Sequence, residues 1–252
     1  MRALAAFLVM ALIVVLVMPS TSSAIELDEV LQKHIEAKGG MEKLKSVNSM
    51  QMYGKSHMRG VELPFTTFHM RPDKLRIETT IQGQSIVQGY DGETGWYVNP
   101  MSGSSEPQEM SARAVENLKV QADIDGFLID SEEKGYKVEY VGEGDVEGTP
   151  SYQLRVSDTA DLDVDVYLDA EYFVELKWTV RGENEGNVFS LDMFFSDYKD
   201  VDGMMLAHAM ATQTGGQLVN EMTIDSVVIN PELDPAIFQM PSVEEKAGEG
   251  EK

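Results

Sequence analysis

The sequence predicts a mainly β protein built on one large, curved antiparallel sheet of about 10–11 strands, with an N-terminal helix and a second helical segment in mid-chain. Three observations carry this. Apolar residues alternate with polar ones at a period of two from Ser49 to Val98 and again from Tyr136 to Ile229. Turn signals such as Arg59-Gly60, Arg71-Pro72-Asp73, Gln82-Gly83 and Asp91-Gly92 punctuate the first stretch at short intervals. No helical pattern stands between consecutive strands of either half, so the connections are those of antiparallel neighbours. More than about ten strands is also more than a twisted open sheet holds without curling.

The first 24 residues are read as a cleaved signal peptide. Arg2 supplies a positive start, Ala3 to Met18 is an unbroken apolar run, and Ser22 and Ala24 stand at the small-residue positions before a cut at Ile25. The alternative, an uncleaved anchor, fits less well because the run is short for a spanning helix. From Glu26 to Lys38, Leu27, Val30, Leu31 and Ile35 share one helical face, acids occupy the first turn, and Gly39-Gly40 ends the helix. Met41 to Leu44 reads as a further short turn.

From Ser49 the period changes. Met50, Met52 and Met58 alternate with polar residues, and Leu75, Ile77, Thr79 and Ile81 form the dry face of the strand after Arg71. Asn99 to Gln108 reads as loop and Glu109 to Ala122 as helix, with Met110, Ala114, Leu118 and Gln121 on one side. A small apolar knot, Phe127-Leu128-Ile129, follows between Asp125 and Asp130, too short to be its own core. The second run of strands includes one with Tyr172, Val174, Leu176, Trp178 and Val180, then Phe189 to Phe195. Residues 242–252 read as a disordered acidic tail, which leaves 25–241 as one domain.

Cysteine is absent, which removes disulfides, thiol nucleophiles, metal thiolates and a lipid-attachment cysteine together. With 20 Lys and Arg against 43 Asp and Glu, the net charge of −23 disfavours nucleic acid and anionic headgroups as partners. A solubility device and an attraction for a basic partner both remain open as its meaning. The four histidines have no metal-ligand spacing and read as surface or rim residues; His57 and His69 stand where a hairpin can bring them together. Asp161, Asp163 and Asp165 alternate with apolar residues as the wet face of a strand, lacking the glycine and closing glutamate of a calcium loop. No nucleophile elbow or phosphate loop appears, so the expectation is a protein that is not an enzyme and needs no cofactor. A curved sheet capped by two short helices leaves a lumen, and sixteen methionines suit an adaptable apolar cavity as well as an ordinary core.

The run Arg71-Pro72-Asp73-Lys74-Leu75-Arg76, then Asp91-Gly92-Glu93-Thr94-Gly95-Trp96 and Asn99-Pro100, resembles the LolA-type outer-membrane lipoprotein-sorting proteins. Tyr167-Leu168-Asp169, Phe195-Ser196-Asp197-Tyr198 with Val201-Asp202-Gly203, and Ile229-Asn230-Pro231 with Phe238 continue the likeness over the chain from Ile25. The resemblance implies an incomplete β-barrel with a helical lid, monomeric in the periplasm, that holds the acyl chains of lipoprotein or lipid cargo. It implies receipt from an inner-membrane ATP-driven complex and delivery to an outer-membrane acceptor. A sensor of envelope stress or of lipid on the same fold is the other reading. By the same resemblance Arg71 matches an arginine that helps hold the lid closed, Trp96 the hairpin tryptophan, and Phe127, Leu128 and Ile129 the lid. Leu75 and Ile77 complete the candidate ligand-binding set. The chain departs from the pattern at Ala207, where a proline often precedes the histidine, and in being longer than the best-studied carriers.

Overall fold

The computed structural model describes residues 25–159, 162–184 and 187–242. The leader, Asp161 and the tail beyond Ser242 lie outside the described residues.

Among the described residues three α-helices, α1 (Leu27–Ala37), α2 (Met41–Ser46) and α3 (Ala112–Ala122), accompany thirteen strands. The first six are β1 (Ser49–Met58), β2 (Val61–Met70), β3 (Lys74–Ile81), β4 (Gln84–Tyr90), β5 (Gly95–Val98) and β6 (Gln108–Glu109). Then come β7 (Lys137–Val146), β8 (Thr149–Ser157), β9 (Asp163–Asp169), β10 (Glu175–Asn184), β11 (Asn187–Val201), β12 (Met204–Thr214) and β13 (Gln217–Ile229). All belong to one open antiparallel sheet in the order β6-β5-β4-β3-β2-β1-β13-β12-β11-β10-β9-β8-β7. The predicted fold class stands, with more strands than alternation alone reveals. The two-residue β6 and four-residue β5 are shorter than any run in which a period of two is detectable.

This order explains why a lid exists. The chain starts in the middle of the sheet at β1, works outward to the β6 edge, and must reach the opposite edge at β7 before returning to pair β13 with β1. The crossover is α3 and the loop after it, laid across one face, here called the inner face. Leu118 of α3 packs with Leu75 of β3 and Tyr90 of β4, whereas Phe127, nine residues on, packs beside Trp178 of β10. Partly helical chain of that length reaches at most about 23 Å, whereas the six strand steps from β3 to β10 span about 29 Å in a flat sheet. Curvature makes up the difference.

Helix α3 begins later than the sequence predicts, because Glu109 is drawn into β6 and Ser111 caps the helix by accepting from the Ala114 N–H. Its buried face is Val115, Leu118 and Ala122, and Gln121 points outward. The predicted face drifts by one residue, a usual error where half the positions are alanine or polar. Helix α1 buries Val30 and His34 and lays Leu27 and Leu31 on the sheet with them.

On the outer face the chain after β13 runs back over β1 to β5 as a strap. Ser49 Oγ donates to Pro231 O at 2.7 Å, Arg76 Nη1 to Ile237 O at 2.9 Å and Trp96 Nε1 to Phe238 O at 2.8 Å. Trp96 is fully buried there because Gly89, its cross-strand partner, has no side chain: a Cβ at Gly89 would lie 2.3 Å from the indole. Gly89→Ala is therefore expected to push Trp96 and the strap apart and to lower stability by about 1–3 kcal/mol, read as a fall in denaturant midpoint. Events on the inner face should be unaffected.

Candidate functional site

The inner face has three apolar clusters. Under α1 and the loop after α3, Val30, Phe127 and Leu128 pack on Leu154, Val156, Val164, Val166 and Leu168 of β8 and β9. In the middle, Ile129 packs with Leu44, Val47, Met50 and Met204. Under α3 lie Leu75, Ile77 and Tyr90. The predicted lid residues Phe127, Leu128 and Ile129 are thus all buried, and each stabilises closure by roughly 1.5–3 kcal/mol.

The lid's polar residues tie it to the sheet. Asp125, in the loop after α3, accepts two hydrogen bonds from Arg71, which stands where β2 turns into β3, at 2.7 Å from Nη1 and 2.6 Å from Nη2. The same guanidinium donates from Nε to Val47 O at 2.6 Å and from Nη2 to Leu44 O at 3.1 Å, so it also anchors the turn between α2 and β1. Burial pushes the Asp125 carboxyl up, but the Arg71 charge outweighs it and holds the carboxyl below the usual carboxylate range. The fork geometry of arginine suits this three-way tie; an ammonium offers no planar pair of donors. Lys45 pairs with Asp130 at the far end of the lid, and Lys134 holds Asp123 and the Gly126 carbonyl, at 2.5 and 2.8 Å. The arginine matched to one that helps hold the lid closed thus has a lid carboxylate as its partner.

Helix α1 has its own tie. His34 donates from Nδ1 to Phe173 O at 2.8 Å, Lys38 Nζ lies 3.4 Å from Glu175 Oε1, and Tyr198 donates to Glu175 O at 2.6 Å. Burial pushes the Glu175 carboxyl up, but Lys38 and His34 prevail and hold it at about 2. His69, on the inner face of β2 beneath α3, is pushed down to about 4 by burial, against a hydrogen bond with the Ala122 backbone. Burial also lowers His34. Three histidines, His34, His69 and His208, are therefore buried, contrary to the surface reading. His57 pairs with Glu62 and His69 with Met50, at opposite ends of the hairpin, so the two do not meet.

A depressed pKa stabilises the fold above the unfolded value and withdraws that stability as pH falls through the folded one. His69 contributes about 3 kcal/mol that is lost between pH 6.5 and 4, His34 adds to the loss in the same direction, and Glu175 fails between about 4.5 and 2. The thermal midpoint should fall as pH drops from 6.5 to 4, less steeply in His69→Gln than in wild type. Equal slopes would exclude His69 as a cause.

Beside these clusters, toward the hairpin tips, lies a largely apolar floor that meets the first cluster at Trp178. One row across the sheet runs Leu63, Ser56, Met222, Met210, Phe195, each directly opposite the next. Phe195 stacks obliquely on Trp178 with ring centroids 4.8 Å apart, and Met193 stands opposite Trp178. All of these are only half-buried. The floor ends toward the hairpin tips, where Met58, Val61 and Leu218 are exposed.

Of the predicted set, the structure brings Arg71, Phe127, Leu128 and Ile129 together through the lid. Leu75 and Ile77 are on the inner face but sit beneath α3. Trp96 does not join them: it lies on the outer face under Phe238, because its place in β5 puts it opposite Gly89 and Arg76's neighbour rather than Tyr90. Sequence reasoning missed Asp125 as the latch partner and missed the floor. The alternation did place Trp178 and Phe195 on dry faces, which is the signal that was available. Asp163 and Asp165 lie on the wet, outer face with Arg155 and Arg181.

No protein-family model matches the sequence, and no curated protein matches it. Solved structures do match in three dimensions. One is a domain assigned to outer-membrane lipoprotein sorting, from Vibrio parahaemolyticus, at 14% identity and a TM-score of 0.56, covering 84% of this chain and 95% of that one. A DUF1329 family protein from Desulfovibrio piger gives 12% and 0.60, covering 84% and 96%, and a LolA superfamily protein from Nitrosomonas europaea gives 10% and 0.58, covering 86% and 98%. At such identities the likeness shows the fold: this chain has the LolA-type architecture that its motifs predicted.

Proposed function

We propose that this protein is a periplasmic carrier that holds the acyl chains of a lipoprotein or similar lipid on the inner face of its sheet, for transfer towards the outer membrane. The observation that carries the reading is the uncovered floor beside a latched lid. Leu63, Met193, Phe195, Met210 and Met222 are only half-buried in the middle of the sheet, while Phe127 and Leu128 cover the adjoining strands and the Arg71–Asp125 pair ties down the loop that carries them. An open row of Met and Phe adapts to a flexible chain, since thioethers repack at little cost. The comparisons support this reading through the fold they share.

Within the same proposal, residues 25–241 act as one binding domain released by cleavage at Ile25, and the cargo comes from an inner-membrane complex and passes to an outer-membrane acceptor. Binding and release, without a chemical step, suffice for such a role. Titration of the purified protein with a fluorescent apolar probe, followed by displacement with an N-palmitoylated peptide, tests it. Saturable binding with one-for-one displacement is expected. Failure of both probe and peptide to bind would show that the floor is not a ligand site.

A further inference from the structure

Trp178 stands on β10 between Val166 and Met193, at the seam between lid and floor. Its ring meets Phe127 of the lid at 5.0 Å and Phe195 of the floor at 4.8 Å, tilted by about 60° to each. Its Nε1–H is buried and, among the described residues, has no hydrogen-bond partner. A buried donor without a partner is costly and uncommon, and an indole nitrogen, unlike a hydroxyl, only donates and does not turn. Trp96, the other tryptophan, meets the same need with the Phe238 carbonyl. Two further unpartnered polar atoms of the inner face, Thr67 Oγ1 and His69 Nδ1, belong to β2. They lie five strands from Trp178 in the sheet order, out of reach of a group bound at the seam.

We infer that the Trp178 N–H is a recognition point for the carbonyl oxygen of an acyl chain's ester or amide link, reached when cargo displaces Phe127. This rests on the carrier reading and narrows it. The ligand class is acyl lipid, whose chain lies along Phe195, Met210 and Met222 while its linkage carbonyl faces the indole. Hydrocarbon chains without that carbonyl fill the same floor but leave the donor unpaired. Displacing Phe127 removes one of the two rings packed on the indole, so the lid movement that admits the chain also uncovers the donor.

Two lysophosphocholines with the same headgroup and sixteen-carbon chain, one ester-linked and one ether-linked, separate the terms. The carbonyl is the difference between them. Wild type is expected to bind the ester about fivefold more tightly, and Trp178→Phe to bind both with the affinity wild type shows for the ether. Intrinsic fluorescence gives a second readout in wild type, because Trp96 is sealed on the other face: the ester should shift the emission more than the ether does. Equal affinities with equal emission shifts in wild type would overturn the inference, as would a fivefold preference that survives in Trp178→Phe. If the apolar probe and palmitoylated peptide bind but the ester and ether do not differ, the carrier reading stands and this one fails. If nothing binds to wild type, both fail.

Discussion

Leu128→Glu is expected to open the lid while the sheet stays folded. Leu128 is 5% exposed and packs with Val30, Leu154 and Val166 under α1. The substitution forfeits roughly 1.5–3 kcal/mol of burial and adds the cost of a carboxylate with no cation in that cluster, so the closed position becomes untenable. The damage is local, because β7 to β10 remain paired by their ladders and α1 keeps its ties through His34 and Lys38 to β10 and the turn before it. Far-ultraviolet circular dichroism should keep its β signature while probe binding becomes faster and tighter. Leu128→Met, which conserves volume, should behave as wild type. An unchanged probe titration in a folded Leu128→Glu protein would show that the knot around Leu128 is fixed core and no lid.

Breaking the latch should have an effect that depends on which partner is removed. In Arg71→Leu, Asp125 keeps a side chain that is 2% exposed and loses its guanidinium, which costs about 3–5 kcal/mol of closed-state stability at neutral pH. In Asp125→Ala the arginine, 24% exposed, still donates to Val47 and Leu44 and reaches water, so about 1–3 kcal/mol is expected. The deficit of Arg71→Leu should shrink as pH is lowered, since burial favours the neutral acid once its cation has gone. The double substitution should cost less than the sum of the two singles.

For ligand binding the same energies run the other way. The closed empty state competes with cargo, so weakening it tightens apparent affinity and slows release. Arg71→Leu should load normally and deliver poorly, with probe dissociation slowed at least tenfold. Release at the wild-type rate would mean that the Arg71–Asp125 tie does not open during binding.

Periodicity made most of the fold legible. A period of two is a local property of each strand, and turn residues at Arg59-Gly60 or Asp202-Gly203 declare themselves without reference to the rest of the chain. The alternation therefore gave the dry faces of β3 and β9 and, on β10, Trp178 and Val180; it ran too far back, since β10 begins at Glu175 after a turn that exposes Tyr172, and the register shifts between Glu175 and Lys177. The apolar spacing in α1 gave Val30. What each dry face meets is not local. Trp96 and Trp178 both stand in alternating runs, yet one is sealed by a strap from the end of the chain and the other borders an open floor.

His34 and His69 read as rim residues because nothing nearby in sequence announces α3 over β2 or Glu175 beside α1; those approaches join residues 53 and 141 positions apart. Asp125 is likewise one acid among many until the crossover lays it on Arg71, 54 residues earlier. Composition, strand pattern and motif order were determined by the sequence alone. The pairing of β1 with β13, and with it the need for a crossover over the inner face, was decided only in three dimensions. Long-range strand pairing fixes which side chains are covered, and coverage, rather than residue type, distinguishes a core tryptophan from one that faces a ligand.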